Sequence, residues 1–513
     1  MSVSSGDSDM NDSRSSLGPD QMDEGQSLIP GAKDVVQSIL NGIKDDKDKL
    51  LLTSNVFCLL QHVHSQVFQN EACINAIEAA MSEISRLEHK QEKGVSVPPQ
   101  IPKEQAKKWV NLYYESYQFE GFRIPLEKSF LLSFPDLLEI RHVSLDATST
   151  LIYYSVLLQG ILMDPDNAVQ RGGIVQSIYR TSIELVDGWL DQIRNTAEDL
   201  FAAFLMISVT LEGCNSELSW KIFGHACSIA RALGYFSLDG VPKGPDGHIC
   251  PPQESSQHRN EVERNRMRFE FWHLLRTDCL FQISFGKPAL LPEGSWVVNL
   301  PDPSITGVDD ASTHFIQIHF LASMRLTLVV LKYLDWVKAE SDQNAATYDS
   351  WLDDLITEVE AILADWNVEE LMSNSKNLID TWFCADILFA SYRVIIMLSQ
   401  AKKCNRDSYH FPRHTVDLSR KSLKVFQSLT DSSTVRSFWG ISVLLLHQFT
   451  FFFVLCMDII DCQDPENNAE GLALVSWVNN FAIKAAENRP ELGPITLVTR
   501  SMTGACERVH LGR

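Results

Sequence analysis

Apolar residues recur at intervals of three and four along most of the chain, a spacing that predicts helices burying one face each. We find no convincing run of alternating β-branched residues and no internal repeat of fixed period. The sequence therefore predicts an all-α fold, a large irregular multi-helix domain. The predicted helices cover residues 103–119, 145–163, 174–193, 196–212, 216–234, 261–285, 312–340, 348–371, 376–403, 415–429, 435–460 and 470–488.

One stretch, residues 261–301, has the clearest internal order. Glu261 and Glu263 suit the positive end of a helix dipole, and Arg266 with Glu270 forms an i,i+4 pair that is favourable on a surface. An apolar stripe follows, which predicts that the second half of this helix is buried. The stripe comprises Phe271, Trp272, Leu275, Cys279 and Ile283.

The same stretch carries a carboxylate on its apolar half and a stop signal at its end. Gly286 and Pro288 cannot continue a helix and predict its termination. Asp278 must be paired or protonated if it is buried, and Arg231 or Arg276 is the expected partner. We therefore interpret 261–301 as a structural strut that ties the preceding helix to the extended segment after it.

Composition changes along the chain suggest four regions. Residues 1–30 are polar and predict a disordered arm, and 31–90 predict an N-terminal helical segment. Residues 91–102 combine glycine with three prolines and predict a linker, after which 103–500 form the large domain. Length alone favours two to four folding units in a chain of 513 residues.

Overall charge disfavours direct contact with a phosphate backbone. The chain has 44 Lys+Arg against 66 Asp+Glu, a formal net charge of −22, and no segregated basic patch. Its 11 cysteines are scattered without a CxxC pair, which favours free thiols in a reducing compartment and disfavours a zinc module. Residues 441–460 are long and apolar enough to span a bilayer, but His447 and Gln448 at mid-depth favour a buried core helix, so no membrane is expected.

Candidate catalytic and metal-binding groups are weak. Asp353, Asp354 and Glu358 resemble a magnesium-binding helix of prenyl-diphosphate enzymes, but Thr357 stands where a further acid is needed. Neither the group Cys58, His62, His64 and Cys73 nor the pair His410 and His414 forms a complete ligand set. Nucleophile-elbow, Walker A and Rossmann motifs do not occur. The chain is therefore predicted to be no enzyme, with no catalytic, cofactor-binding or metal-binding residue.

Ten residues, which we call the signature residues, follow one another in a fixed order and spacing: Ser219, Trp220, Gly234, Arg264, Arg266, Phe271, Trp272, Asp278, Gly286 and Pro288. In this order they resemble the regulatory middle homology region of fungal zinc-cluster transcription factors. The resemblance covers roughly residues 98 to 500, and its motifs are specific only when taken together. Cys279 and Lys287 depart from the family pattern, which commonly has arginine at both places.

The resemblance implies a nuclear regulator of transcription that controls a metabolic or secondary-metabolite gene cluster. Family activators carry six cysteines near the N-terminus, whereas only Cys58 and Cys73 precede residue 200 here. We therefore expect no sequence-specific DNA binding by this chain alone, and action through a DNA-binding transcription factor or the transcription machinery. A small-molecule effector in the helical core is a further expectation.

Two alternatives remain open from the sequence. One is an all-α enzyme of prenyl-diphosphate type that uses Asp353, Asp354 and Glu358. The other is a zinc-cluster DNA-binding activator whose cysteine module is encoded upstream of Met1.

Overall fold

The computed structural model describes the chain between residues 101 and 511, apart from 117–123, 141, 165–171, 243–259, 303–304, 306–311, 339–344, 376–377, 403–410, 433–439, 462–464, 488 and 490–491. The described part contains helices and no strand, which confirms the predicted all-α multi-helix fold. The predictions for residues 1–30 and 31–90, the group Cys58 to Cys73, and His410 all lie outside the described residues.

Fifteen labelled helices follow one another in the described ranges. The first seven are α1 (Lys103–Ser116), α2 (Lys128–Leu137), α3 (Ala147–Met163), α4 (Gly172–Leu190), α5 (Ala197–Glu212), α6 (Ser216–Ala232) and α7 (Glu261–Phe285). The next eight are α8 (Ser312–Lys338), α9 (Ala345–Asp365), α10 (Val368–Asn374), α11 (Leu378–Ala401), α12 (Arg413–Ser432), α13 (Phe449–Asp461), α14 (Pro465–Ala486) and α15 (Gly493–Leu511). A short helical turn, Ile441–Val443, and a π-helical turn, Leu444–Gln448, lead directly into α13.

Local signals explain several helix ends. Thr196 and Asp199 form a reciprocal capping box at the start of α5. Gly234 after α6 and Gly286 after α7 adopt left-handed backbone conformations with φ of 82° and 61°, as expected for helix-terminating glycines. The Asn215 side chain caps the start of α6, where it accepts the Leu218 N–H.

The helices pack on one hydrophobic core that includes residues from Ala106 in α1 to Cys506 in α15. Helices α1 to α6 pack on one another, and so do α8 to α15. Some of these pairs are neighbours in the chain, as α5 with α6 and α14 with α15 are, and others are separated by one helix, as α1 with α3 and α9 with α11 are. Helix α7 contacts α6 on one side, and α8 and the π-helical turn on the other. It therefore lies between the earlier and the later helices.

Among the residues that the structure describes, two apolar helical stretches are long enough to cross a membrane by length and composition alone, 380–401 and 441–459. In this structure 72% and 78% of their most apolar windows are buried by other helices. The second stretch is the one predicted as a core helix, and Leu444, Phe452 and Val454 have no exposed surface.

Candidate functional site

The first turns of α7 are fixed by arginines that converge on one aspartate. Arg264 and Arg268 both contact Oδ1 of Asp239, at 3.0 and 2.5 Å, and Arg268 also donates to Oδ2 of Asp239 and to Glu261. Burial by itself would raise the pKa of Asp239, but these hydrogen bonds and charges lower it below its ordinary value. The backbone N–H of Asn299 donates to the same carboxylate at 2.7 Å. Asp239 therefore joins α7 to the segment that follows it.

Two further side chains of α7 hold the segment that follows this helix, residues 287–302, which we call the exit segment. The Trp272 indole donates to the Asn299 carbonyl at 3.0 Å. Buried Asn265 donates to the Asp302 carbonyl at 2.8 Å and accepts the Asp302 N–H at 2.7 Å. These paired amide contacts fix the position of the extended segment against the helix.

Arg266 and Glu270 form the predicted i,i+4 pair, with 2.9 Å between Nε and Oε1. Its predicted surface location is wrong, because Glu270 is buried and also accepts a hydrogen bond from the Tyr235 hydroxyl. Burial raises the pKa of Glu270, with Arg266 acting in the opposite direction.

Asp278 is held by amide groups of the exit segment. Its carboxylate accepts the N–H groups of Leu290 at 3.0 Å and Leu291 at 3.3 Å, together with the Gln282 side chain. The two arginines expected as partners make other contacts: Arg276 pairs with Asp386, and the Arg231 guanidinium lies 4.6 Å from the Phe236 ring centre. Backbone amides satisfy a buried carboxylate as arginine does.

The remaining signature residues pack α6 against α7. Ser219 donates to the Ile207 carbonyl of α5, and Trp220 lies 5.2 Å from the Phe281 ring centre. Phe271 is fully buried against Phe236 and Trp296.

After Gly286, Lys287 pairs with Glu217 of α6, and Pro288 is exposed. Lys287, which stands where the family pattern has arginine, thus keeps a cation that ties the exit segment to α6. Cys279, the other difference from the family pattern, is a buried thiol. All ten signature residues lie on α6, on α7 or in the turns after them.

A second polar group lies deeper, where α7, α8, α11 and the π-helical turn meet. Asp386 of α11 pairs with Arg276, accepts from His319 Nε2 at 2.9 Å and lies 3.5 Å from His447 Nε2. Burial would raise the pKa of Asp386, but Arg276 and the two imidazoles hold it well below its ordinary value. Burial lowers the pKa of His319 and His447, and that of His273 nearby falls to about 3.

Both imidazoles next to Asp386 have an unused nitrogen. Neither His319 Nδ1 nor His447 Nδ1 has a hydrogen-bond partner within the described ranges. With Nε2–H directed to the carboxylate, each Nδ1 is a buried acceptor. A donor in the adjoining space would satisfy it.

A cavity of about 30 Å³ adjoins this group and is lined by α7, α8 and α11 together with His447. Arg276, Arg393, Ser323 and Thr327 are among its lining residues, and nearly all of the surface that faces the cavity is apolar. Because a water molecule needs roughly 10–15 Å³, the cavity has room for about two.

The acidic residues of the enzyme alternative lie away from this cavity. Asp353 and Asp354 are exposed on α9, and Asp353 and Glu358 pair with Lys402 and Lys332. No group of three or more metal-ligating side chains occurs among the residues that the structure describes, and His414 is exposed. Nothing in these contacts favours the enzyme alternative.

Sequence reasoning missed Arg393, Asp386 and the role of His447. Charged residues within otherwise apolar helices were the available signal, since Asp386 and Arg393 interrupt the 380–401 stretch. Their partners could not be inferred, because they come from helices distant in sequence.

The fold and these contacts define a large all-α domain organised around a central helix with a buried charged group beside it. The chain matches no protein-family model, and no curated protein or solved structure matches it.

Proposed function

We propose that this chain is a non-enzymatic regulator of transcription of fungal type, which acts in the nucleus through a DNA-binding transcription factor or the transcription machinery. The observation that supports the proposal is the arrangement of the signature residues. Arg264 contacts the segment before α7, whereas Trp272 and Asp278 contact the segment after it, in line with the structural role expected for the signature residues. A metabolic or secondary-metabolite gene cluster is the proposed target.

Charge supports action through protein partners. A chain with a net charge of −22 is repelled by DNA unless a partner supplies the basic surface. The contact we propose is helix to helix, the mode by which helical surfaces commonly recognise partner proteins.

Deletion of the gene, followed by transcript sequencing, tests this proposal. We expect a coordinated change in the transcripts of a gene cluster, reversed when the wild-type gene is reintroduced. Unchanged transcripts would contradict the proposal.

A matched variant separates the regulator from the enzyme alternative. Asp353→Ala combined with Asp354→Ala changes only exposed side chains of α9, so the regulator proposal expects full reversal of the transcript change. Failure of a stably folded double variant to reverse it would favour a functional role for the acidic face.

A further inference from the structure

Arg393 of α11 is a buried cation that is neutralised by no acid of the described chain. Its side chain is 4% exposed and donates to the Ser284 hydroxyl and the Ile283 carbonyl at 2.7 Å each, and to the Leu446 carbonyl. All three acceptors are uncharged. Burial alone lowers the pKa of Arg393 to about 9, and no neighbouring carboxylate counteracts it.

The nearby acid is already engaged. Asp386 pairs with Arg276 and with His319, so its charge is matched by a different cation. No carboxylate among the described residues forms an ion pair with Arg393. A buried guanidinium without a counter-ion is unfavourable, and a bound anion is the usual way in which proteins remove that penalty.

Arg393 also has donors to spare. A guanidinium carries five N–H groups in a planar fork that suits a carboxylate, and three of them are used by the acceptors above. The hydrogen bonds of Arg393 to described residues come from Nη1 and Nη2, which leaves the Nε–H and one Nη2–H as its remaining donors. Arg393 lines the cavity, so an anion there lies beside this group.

The shape of the cavity limits what can bind. Its walls are mostly apolar and include Ile283, Leu326 and Val330, and its polar lining residues are Arg276, Arg393, Ser323, Thr327 and His447. Room for about two water molecules limits a bound carboxylate to a very short aliphatic tail. A larger metabolite does not fit unless these helices move apart.

We propose that Arg393 binds the carboxylate of a small aliphatic monocarboxylic acid in this cavity. The single unneutralised guanidinium matches one negative charge, and the aliphatic walls cover the tail. The geometry alone supports the binding site, whereas a role for the acid as the effector of transcription rests on the proposed function.

Thermal melts and calorimetric titrations of the purified full chain test the site. The probes are acetate, propionate and hexanoate, with acetamide and propionamide as neutral matches and sodium chloride at equal ionic strength. We expect acetate and propionate to raise Tm by roughly 1–3 °C at saturating concentration, and the other probes to leave it unchanged. Absence of any shift with acetate and propionate would overturn the proposal, as would an equal shift with chloride, which indicates a nonspecific anion site.

Two variants remove the site in different ways. Arg393→Met removes the charge, and Ala390→Leu fills the cavity while Arg393 remains, so the test survives if the first variant fails to fold. In both variants, acetate and propionate should no longer raise Tm. Arg420→Met is the control, because Arg420 is equally buried but pairs with Asp458, and it should keep the response. A response retained in folded Ala390→Leu would place binding elsewhere and overturn the proposal.

The calorimetric titration tests the binding site, whereas the transcripts after gene deletion test the proposed regulatory function. Propionate binding with unchanged transcripts would leave the site intact and contradict only the proposed function. Changed transcripts without binding would contradict only the site.

Discussion

Three carboxylates of the described residues are satisfied in three different ways. Asp239 is held by two arginines, Asp386 by an arginine with two imidazoles, and Asp278 by the amides of Leu290 and Leu291. A sequence shows that a carboxylate on an apolar face needs partners. It does not show that a backbone turn twelve residues later supplies them.

Replacement of Asp278 tests its structural role. Asp278→Ala leaves two buried N–H groups without acceptors, so we expect the free energy of unfolding to fall by about 3 kcal/mol. Asp278→Asn keeps one acceptor oxygen and should lose less, about 1 kcal/mol. Urea denaturation measures both, with exposed Asp354→Ala as the control. An unchanged midpoint for Asp278→Ala would show that the carboxylate does not hold the exit segment.

Glu212 is a buried carboxyl at the end of α5 that contacts the start of the Ile441–Val443 turn. It accepts the Ile441 N–H at 3.1 Å and contacts the Ser442 hydroxyl, while Arg489 donates to its backbone carbonyl. Burial raises the pKa of Glu212 from 4.5 to about 7. The folded state therefore retains this proton over a range in which the unfolded chain loses it.

The sign of the pH effect follows from that shift. The contribution of Glu212 to stability is fully present below pH 4.5 and is lost as the pH rises to about 7, by about 3 kcal/mol. Glu212→Gln cannot lose a proton, so its stability relative to the wild type should rise over this window. The buried histidines, whose pKa values are lowered, make stability rise with pH, and they do so equally in the wild type and in Glu212→Gln. The difference between the denaturation series of the two proteins therefore reports Glu212 alone. A pH-independent difference would contradict the raised pKa.

At the level of helices, the sequence predicted most elements, and specific residues explain the exceptions. The apolar spacing and Gly286 defined α7 correctly because both signals are local. Helix α2 was not predicted because Pro135 lies inside it. Helix α15 was also not predicted, and it lies beyond the last predicted helix, which ends at residue 488. The predicted helix 348–371 is two helices, because Asn367 adopts a left-handed conformation between α9 and α10.

Close packing of α3 on α1 gives a prediction at the same scale. A Cβ atom on Gly160 would lie 2.1 Å from the Trp109 carbonyl oxygen, so Gly160→Ala should push the helices apart and lower stability by about 2 kcal/mol or more. Gly188 of α4 is exposed with no neighbour within 4 Å, and Gly188→Ala should raise stability by up to about 1 kcal/mol. Equal effects of the two substitutions in thermal melts would contradict the packing of α3 on α1.

For the molecule as a whole, the signature residues could be predicted from the sequence, whereas the charged group beside the cavity could not. The signature residues lie on neighbouring segments, so their order along the chain revealed the strut. The charged group combines Arg276, His319, Asp386 and His447 from four elements, and nothing in a single sequence specifies that convergence. It became visible only when the helices were packed.

The central claim is that this chain regulates transcription through a DNA-bound partner, and chromatin immunoprecipitation of the tagged protein tests it most directly. We predict enrichment at the promoters of genes whose transcripts change on deletion, and no retardation of those promoter fragments by the purified chain alone. Absence of promoter enrichment, or tight sequence-specific binding by the purified chain alone, would contradict the claim.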